Sequence, residues 1–158
     1  MDSTSILINI RKILRSVNLE SKRIQKEYGI SIPQLLTLNF LSNQPEFKAT
    51  HKQVSHYLNL NSSTITGIIT RLEKKGWIAR LPNPLDRRVS FIALTALGQK
   101  LLKSTPKLMH EKLAQKLEET TPKKIKELEN AFDLLIDFMG IQDIEASPVI
   151  TVDEISSQ

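Results

Sequence analysis

A chain of 158 residues, 40% hydrophobic and 25% charged, can bury one sizeable core and has an ordinary globular balance. The lack of cysteine excludes disulfides, zinc fingers and thiol-based redox sensing, and an aromatic content of 5% argues against binding nucleic acid by stacking bases on exposed rings. The formal net charge of +5 is uneven: residues 1–44 carry net +3, residues 45–100 net +6, residues 101–140 zero and residues 141–158 net −4, so a polyanion would meet the middle of the chain.

The polar, acidic start Met1-Asp2-Ser3-Thr4-Ser5 is unlike a signal peptide. No apolar run approaches the ~20 residues that span a bilayer, so a soluble, cytoplasmic protein with no membrane partner is expected. Residues 4–28 read as an amphipathic helix. Ile6, Ile10, Ile13, Leu14, Val17 and Ile24 recur at three- and four-residue spacings, and Gly29 is the stop. Ser31 and Pro33 open a second helix carrying Leu35, Leu36, Leu38, Phe40 and Leu41, which Ser42-Asn43-Gln44-Pro45 ends. Two short helices follow. Thr50 caps the first, with Val54 and Leu58 on one face; Asn59-Leu60 is a tight link. Asn61 or Ser62 caps the second, which runs to Lys75 with Ile65, Ile68, Ile69 and Leu72 as its core stripe and stops at Gly76.

The period then changes. Residues 77–81 and 89–94 read as two strands joined by the turn-rich Pro82-Asn83-Pro84-Leu85-Asp86, a β-hairpin with a long loop. Thr95 caps a long helix through Leu117, which Pro106 should kink. Thr121-Pro122 starts a final helix whose Ile125, Leu128, Phe132, Leu135 and Met139 alternate steps of three and four, as in a heptad seam, and Gly140 closes it. Residues 141–158, acidic and without a long period, read as a flexible tail or as a strap on the surface.

Helix, tight turn, helix and β-hairpin is the order of a winged helix-turn-helix. On a helical wheel, Ser63, Gly67, Thr70 and Lys74 lie opposite the apolar stripe, flanked by Thr64, Thr66 and Arg71. Small hydroxyl side chains let a helix approach base edges in the major groove, and Ser62 at its N-terminus places N–H groups where a phosphate is favoured. A Ser/Thr-rich solvated surface is the competing reading of this helix taken alone. At the hairpin tip, Asp86-Arg87-Arg88 sets two guanidinium groups beside an acid. Arginine suits phosphates and a narrow minor groove, and Asp86 can hold one Arg in a fork-shaped pair.

Residues 50–98 resemble the DNA-binding domain of the multiple-antibiotic-resistance regulator (MarR) family. The matching stretches are Leu60-Asn61-Ser62-Ser63-Thr64-Ile65-Thr66, Arg71-Leu72-Glu73-Lys74-Lys75-Gly76-Trp77-Ile78, Asp86-Arg87-Arg88 and Leu94-Thr95-Ala96-Leu97-Gly98. With the flanking helices the resemblance covers residues 4–140. It implies a mainly α fold with a small β-hairpin wing: a winged helix-turn-helix head at residues 31–95 and dimerisation helices at 1–30 and 96–140, in one unit spanning residues 1–140. It also implies a transcriptional repressor acting as a homodimer on an inverted repeat of double-stranded DNA, with the Arg two positions after the wing Asp near the minor groove. The apolar stripes suit such an interface but could equally pack within one subunit. Gly67 departs from the family, whose members often carry a longer polar or basic residue there, so base readout would lean on Ser63, Thr66, Thr70 and DNA shape. Family members often bind small anionic aromatic effectors between the dimer helices and the head, which makes Arg15 and Tyr28 candidate lining residues. The alternative is a DNA-binding protein of this fold without an effector; a more distant one is a winged helix used for protein contact.

No metal site and no cofactor are expected. His51 and His56 lie about 140° apart round a helix, and His110-Glu111 has no third ligand in sight. Phosphate-binding glycine loops, nucleophile motifs and paired carboxylates in apolar settings are absent from the sequence, so no enzyme activity is expected.

Overall fold

The computed structural model describes residues 2–146. One compact unit runs through Pro106 and a second begins at Lys107. The tail assigned to residues 141–158 falls, from residue 147 on, outside the described residues.

The first unit opens with helix α1, Thr4–Tyr28, which ends where Gly29 takes a left-handed φ of 67° and returns its N–H to the Gln25 carbonyl. Only Val17, Ser21 and Ile24 of α1 are buried. Helix α2, Ile32–Ser42, is the centre of this unit. Ser31 caps it by accepting the Gln34 N–H, and Ile32, Leu35, Leu36, Leu38 and Leu41 are at most 2% exposed. Each such side chain contributes roughly 1.5–3 kcal/mol on leaving water. Thr37 is also fully buried, and its hydroxyl is satisfied by donating to the Pro33 carbonyl at 2.8 Å.

Strand β1, Lys48–Thr50, leads directly into helix α3, His51–Leu58. Thr50 ends the one and caps the other: its hydroxyl accepts the Gln53 N–H at 3.2 Å and its own N–H donates to Gln53 Oε1 at 2.8 Å. Helix α4, Ser62–Lys74, and strands β2, Ile78–Leu81, and β3, Phe91–Leu94, complete the head, followed by helix α5, Ala96–Ser104. The sheet is antiparallel in the order β1-β3-β2, with Ala49 opposite Ile92 and Arg80 opposite Ile92 on the other side. The sequence predicts two strands. The third, β1, is three residues long, too short to show a period, and is held by its pairing with β3. Both hairpin strands are also shorter than residues 77–81 and 89–94: Trp77 still belongs to the helix end, its N–H donating to the Leu72 carbonyl at 3.1 Å, and Val89 belongs to the loop, its N–H donating to the Asp86 carbonyl at 3.2 Å.

The long helix kinked at Pro106 is not formed. Helix α5 stops at Ser104, and Thr105 is extended at φ −85°, ψ 143°. A residue before proline is pushed out of the helical region, and proline offers no N–H to carry the ladder on. Ser104 and Thr105 hydroxyls instead donate to the Leu101 and Leu102 carbonyls at 2.8 and 3.0 Å.

The second unit holds helix α6, Met109–Glu118, and helix α7, Pro122–Met139. Glu111 turns its carboxylate back to accept the Leu108 N–H at 2.8 Å, and Thr121 caps α7. No residue of α7 is buried, and Leu128, Phe132, Leu134, Phe138 and Met139 are 44–74% exposed.

Candidate nucleic-acid interface

Helix α4 stands on its apolar stripe: Ile65, Ile68, Ile69 and Leu72 are completely buried. That anchoring turns the opposite strip outward. Ser62, Ser63, Thr66, Thr70, Arg71 and Lys74 are exposed, while Thr64 and Gly67 are half-buried. The three residues between α3 and α4 fix the entry. Asn59 is left-handed at φ 50°, the Ser55 hydroxyl donates to the Leu60 carbonyl at 2.7 Å, and Asn61 caps α4 by accepting the Thr64 N–H at 2.9 Å. The same Asn61 oxygen accepts the Ser63 hydroxyl at 2.8 Å.

The other hydroxyls on this strip have a defined sense. Thr66 donates to the Ser62 carbonyl at 2.9 Å and Thr70 to the Thr66 carbonyl at 2.8 Å. Their protons point inward along the helix, so they face outward with oxygen lone pairs. His51, weighed in the sequence only as a metal ligand, places Nε2 3.1 Å from Thr66 Oγ1. It is a buttress of the candidate interface that sequence spacing does not reveal, since the contact spans 15 positions.

The helix ends where Gly76, at φ 77°, closes the last turn by donating to the Glu73 carbonyl at 2.9 Å. Glu73 in turn pairs with Arg80 of β2 at 3.3 Å, joining α4 to the wing. The loop from Pro82 to Ser90 is built from side-chain-to-backbone turns: Asn83 Oδ1 accepts the Leu85 N–H at 3.0 Å, and Asp86 Oδ1 accepts the Arg88 N–H at 3.0 Å. Asp86 and Arg88 are paired, but not as a fork. A single carboxylate oxygen takes both the backbone N–H and, at 3.3 Å, the Nε–H of Arg88. Two residues apart in a tight turn, the short Asp side chain meets the backbone N–H first. Arg87 is exposed, and the Arg88 side chain is 91% exposed.

Beside α4, Gln25, Gly29, Gln34, Arg71, Lys74 and Lys75 line a cleft of about 720 Å³. Three of these six residues are cationic and none is acidic, so the cleft favours anions. Arg15 and Tyr28 are not brought together: they lie 13 positions apart on α1, about 20 Å along its axis. Among the described residues, no three His, Asp or Glu side chains cluster as metal ligands, and no helix is long and apolar enough to cross a membrane.

Helix, three-residue turn, helix and antiparallel wing define a winged helix-turn-helix protein. Residues 30–90 match the MarR family model. The multiple antibiotic resistance protein MarR of Escherichia coli is 30% identical over 125 residues, covering 74% of this chain and 85% of the relative. The HTH-type transcriptional regulator YfiV of Bacillus subtilis is 27% identical over 123 residues, covering 78% and 76%. The S. aureus MepR structure, solved as a complex with DNA, shares the fold with a TM-score of 0.64 at 19% identity, covering 87% of this chain and 99% of that one. The chain belongs to the MarR family of transcriptional regulators; it is not an enzyme.

Proposed function

We propose that the protein represses transcription in the cytoplasm by binding an inverted repeat of double-stranded DNA as a homodimer, and that a small anionic aromatic compound releases it. The observation that carries this reading is the division of α4. Its inner face is wholly buried and its outer face is polar, with Arg71 and Lys74 at the end nearer the wing. Such a helix fits the major groove. Residues 62–74 then meet base edges and phosphates, while Arg87 and Arg88 on the wing reach the backbone or minor groove beside them. The S. aureus protein of this fold binds DNA in its solved complex, which supports the same partner here.

The head at residues 31–95 reads, and residues 1–30 and 96–140 dimerise. Apolar side chains left exposed on α1 (Ile6, Leu7, Ile13 and Leu14) and on α7 supply faces for a partner subunit. A two-fold dimer places its heads on half-sites about 34 Å apart, centre to centre. The effector is proposed to contact Arg15 or Tyr28 on α1. Selection of bound duplexes from a random pool, followed by a screen for compounds that release the selected duplex, tests the whole reading. A selected inverted repeat supports it, whereas equal retention of every duplex refutes sequence-specific regulation. A selected site that no anionic aromatic compound releases leaves an effector-free regulator.

A further inference from the structure

We infer that Arg71, folded back over Gly67, is a sequence-determining residue that reads guanine in the major groove. The inference rests on the DNA-binding reading above and adds a named residue and base to it. A Cβ placed on Gly67 would stand 3.8, 3.9 and 4.0 Å from Nη1, Nη2 and Cζ of Arg71. The guanidinium therefore lies one turn N-terminal of its own backbone, over the position where residue 67 has no side chain. Helical side chains lean toward the N-terminus, and residues four apart share a face, so this path costs Arg71 no unusual rotamer.

The fold-back changes what the outward strip presents. The Arg71 backbone sits on the flank of α4, about 40° round the helix from Gly67. Gly67 lies in the strip with Ser63, Thr70 and Lys74, so the guanidinium is carried from the flank toward the middle of that strip. The hydroxyls around it have their protons engaged: Thr66 and Thr70 donate to helix carbonyls and Ser63 donates to Asn61. They accept outward, whereas a guanidinium carries N–H donors and no acceptor. Guanine shows two acceptors, O6 and N7, in the major groove, and a planar guanidinium meets both at once. Gly67 is thus the floor on which the reading group of the next turn rests. Arg71 also lines the cleft beside α4, where Lys74 and Lys75 keep the wall cationic without it.

The test is selection from a random duplex pool with the full-length wild type, Gly67→Ala, Gly67→Leu, Arg71→Lys and Arg71→Ala, followed by affinity on the selected site and on copies with single bases replaced. Gly67→Ala meets Arg71 at ordinary contact distance and should select the same site as wild type. Both should require a guanine at one position of each half-site, losing about tenfold or more when it is replaced. Gly67→Leu fills the guanidinium's place, and Arg71→Lys keeps the charge without the two-pronged geometry. These two variants and Arg71→Ala should lose that one preference and keep the others. The inference is overturned if Arg71→Ala weakens selected and random duplexes equally with a shallower salt dependence, which would make Arg71 a phosphate contact and leave DNA binding intact. Retention of the guanine preference by Gly67→Leu would also overturn it. A wild type that selects no common site removes the inference together with the reading beneath it.

Discussion

His51 Nε2 lies 3.1 Å from Thr66 Oγ1, tying the first residue of α3 to the outward strip of α4. The Thr66 proton is already donated to the Ser62 carbonyl, so the imidazole nitrogen must be the donor. The neutral ring is therefore expected as the Nε2–H tautomer, which nitrogen-resolved NMR of the histidine ring reads directly. A double-mutant cycle with His51→Ala and Thr66→Val should show a coupling of about 0.5–1 kcal/mol, the range for an exposed neutral hydrogen bond. A ring protonated only at Nδ1, or no coupling, contradicts the arrangement.

Gly98 should tolerate no side chain. A Cβ there would clash with the Trp77 carbonyl oxygen and come within 2.6 Å of Leu94 Cδ1. This is where α5 closes on the wing: Thr95 caps α5 by accepting the Gly98 N–H at 3.1 Å and donates its own hydroxyl to the Gly76 carbonyl at 2.6 Å. Backbone cannot swing away as a flexible side chain can. Gly98→Ala is therefore expected to cost about 1–3 kcal/mol by overpacking, although alanine is the better helix former. Gly67→Ala, whose Cβ would meet the Arg71 guanidinium only at ordinary contact distance, should be neutral or stabilising. Urea unfolding of both variants checks the contrast, and equal midpoints would sink it.

How far the sequence carries can be seen at these same residues. The caps Ser31, Thr50, Thr95 and Thr121, the choice between Asn61 and Ser62, and the stops Gly29, Gly76 and Gly140 are legible because each satisfies local backbone groups within a few residues. The polar strip of α4 was legible because burial of Ile65, Ile68, Ile69 and Leu72 dictates its direction. Strand β1 was not, because three residues carry no period and their reason lies some 40 positions away in β3. The leucines that continue beyond Pro106 point to a kinked helix, yet the residue before a proline decides the matter locally. His51 against Thr66 and Arg71 over Gly67 are products of packing and side-chain path, which composition and spacing do not encode.

The proposed dimer makes a sharp demand on α7. Phe132 is 54% and Phe138 74% exposed, and no residue of the helix is buried within the chain. Such a surface is expected to be covered by a second copy at micromolar concentration. Phe132→Glu places a charge in that seam and should shift sedimentation toward the monomer while leaving the head folded. A wild type that sediments as a stable folded monomer at that concentration rules the dimer out.

The wing separates two ways of touching DNA. Arg88 is 91% exposed on its side chain, yet its Nε–H and backbone N–H both meet Asp86 Oδ1, at 3.3 and 3.0 Å. The turn therefore aims Arg88, whereas Arg87 beside it is exposed without that tie to Asp86. Arg88→Ala removes a cation without touching the core, so stability should be unchanged and DNA affinity should fall. If the contact is to phosphate, the loss should be equal on selected and random duplexes, and the slope of log K against log salt should become shallower by about 0.9 per subunit. If Arg88 enters a narrow A·T-rich minor groove, the loss should be larger on the selected site. Asp86→Ala frees Arg88 instead of deleting it and should cost less than Arg88→Ala. Salt titrations of the wild type, Arg87→Ala, Arg88→Ala and Asp86→Ala on both duplexes distinguish these outcomes. Unchanged affinity and slope in both arginine variants would show that the wing does not touch DNA, leaving α4 to account for binding alone.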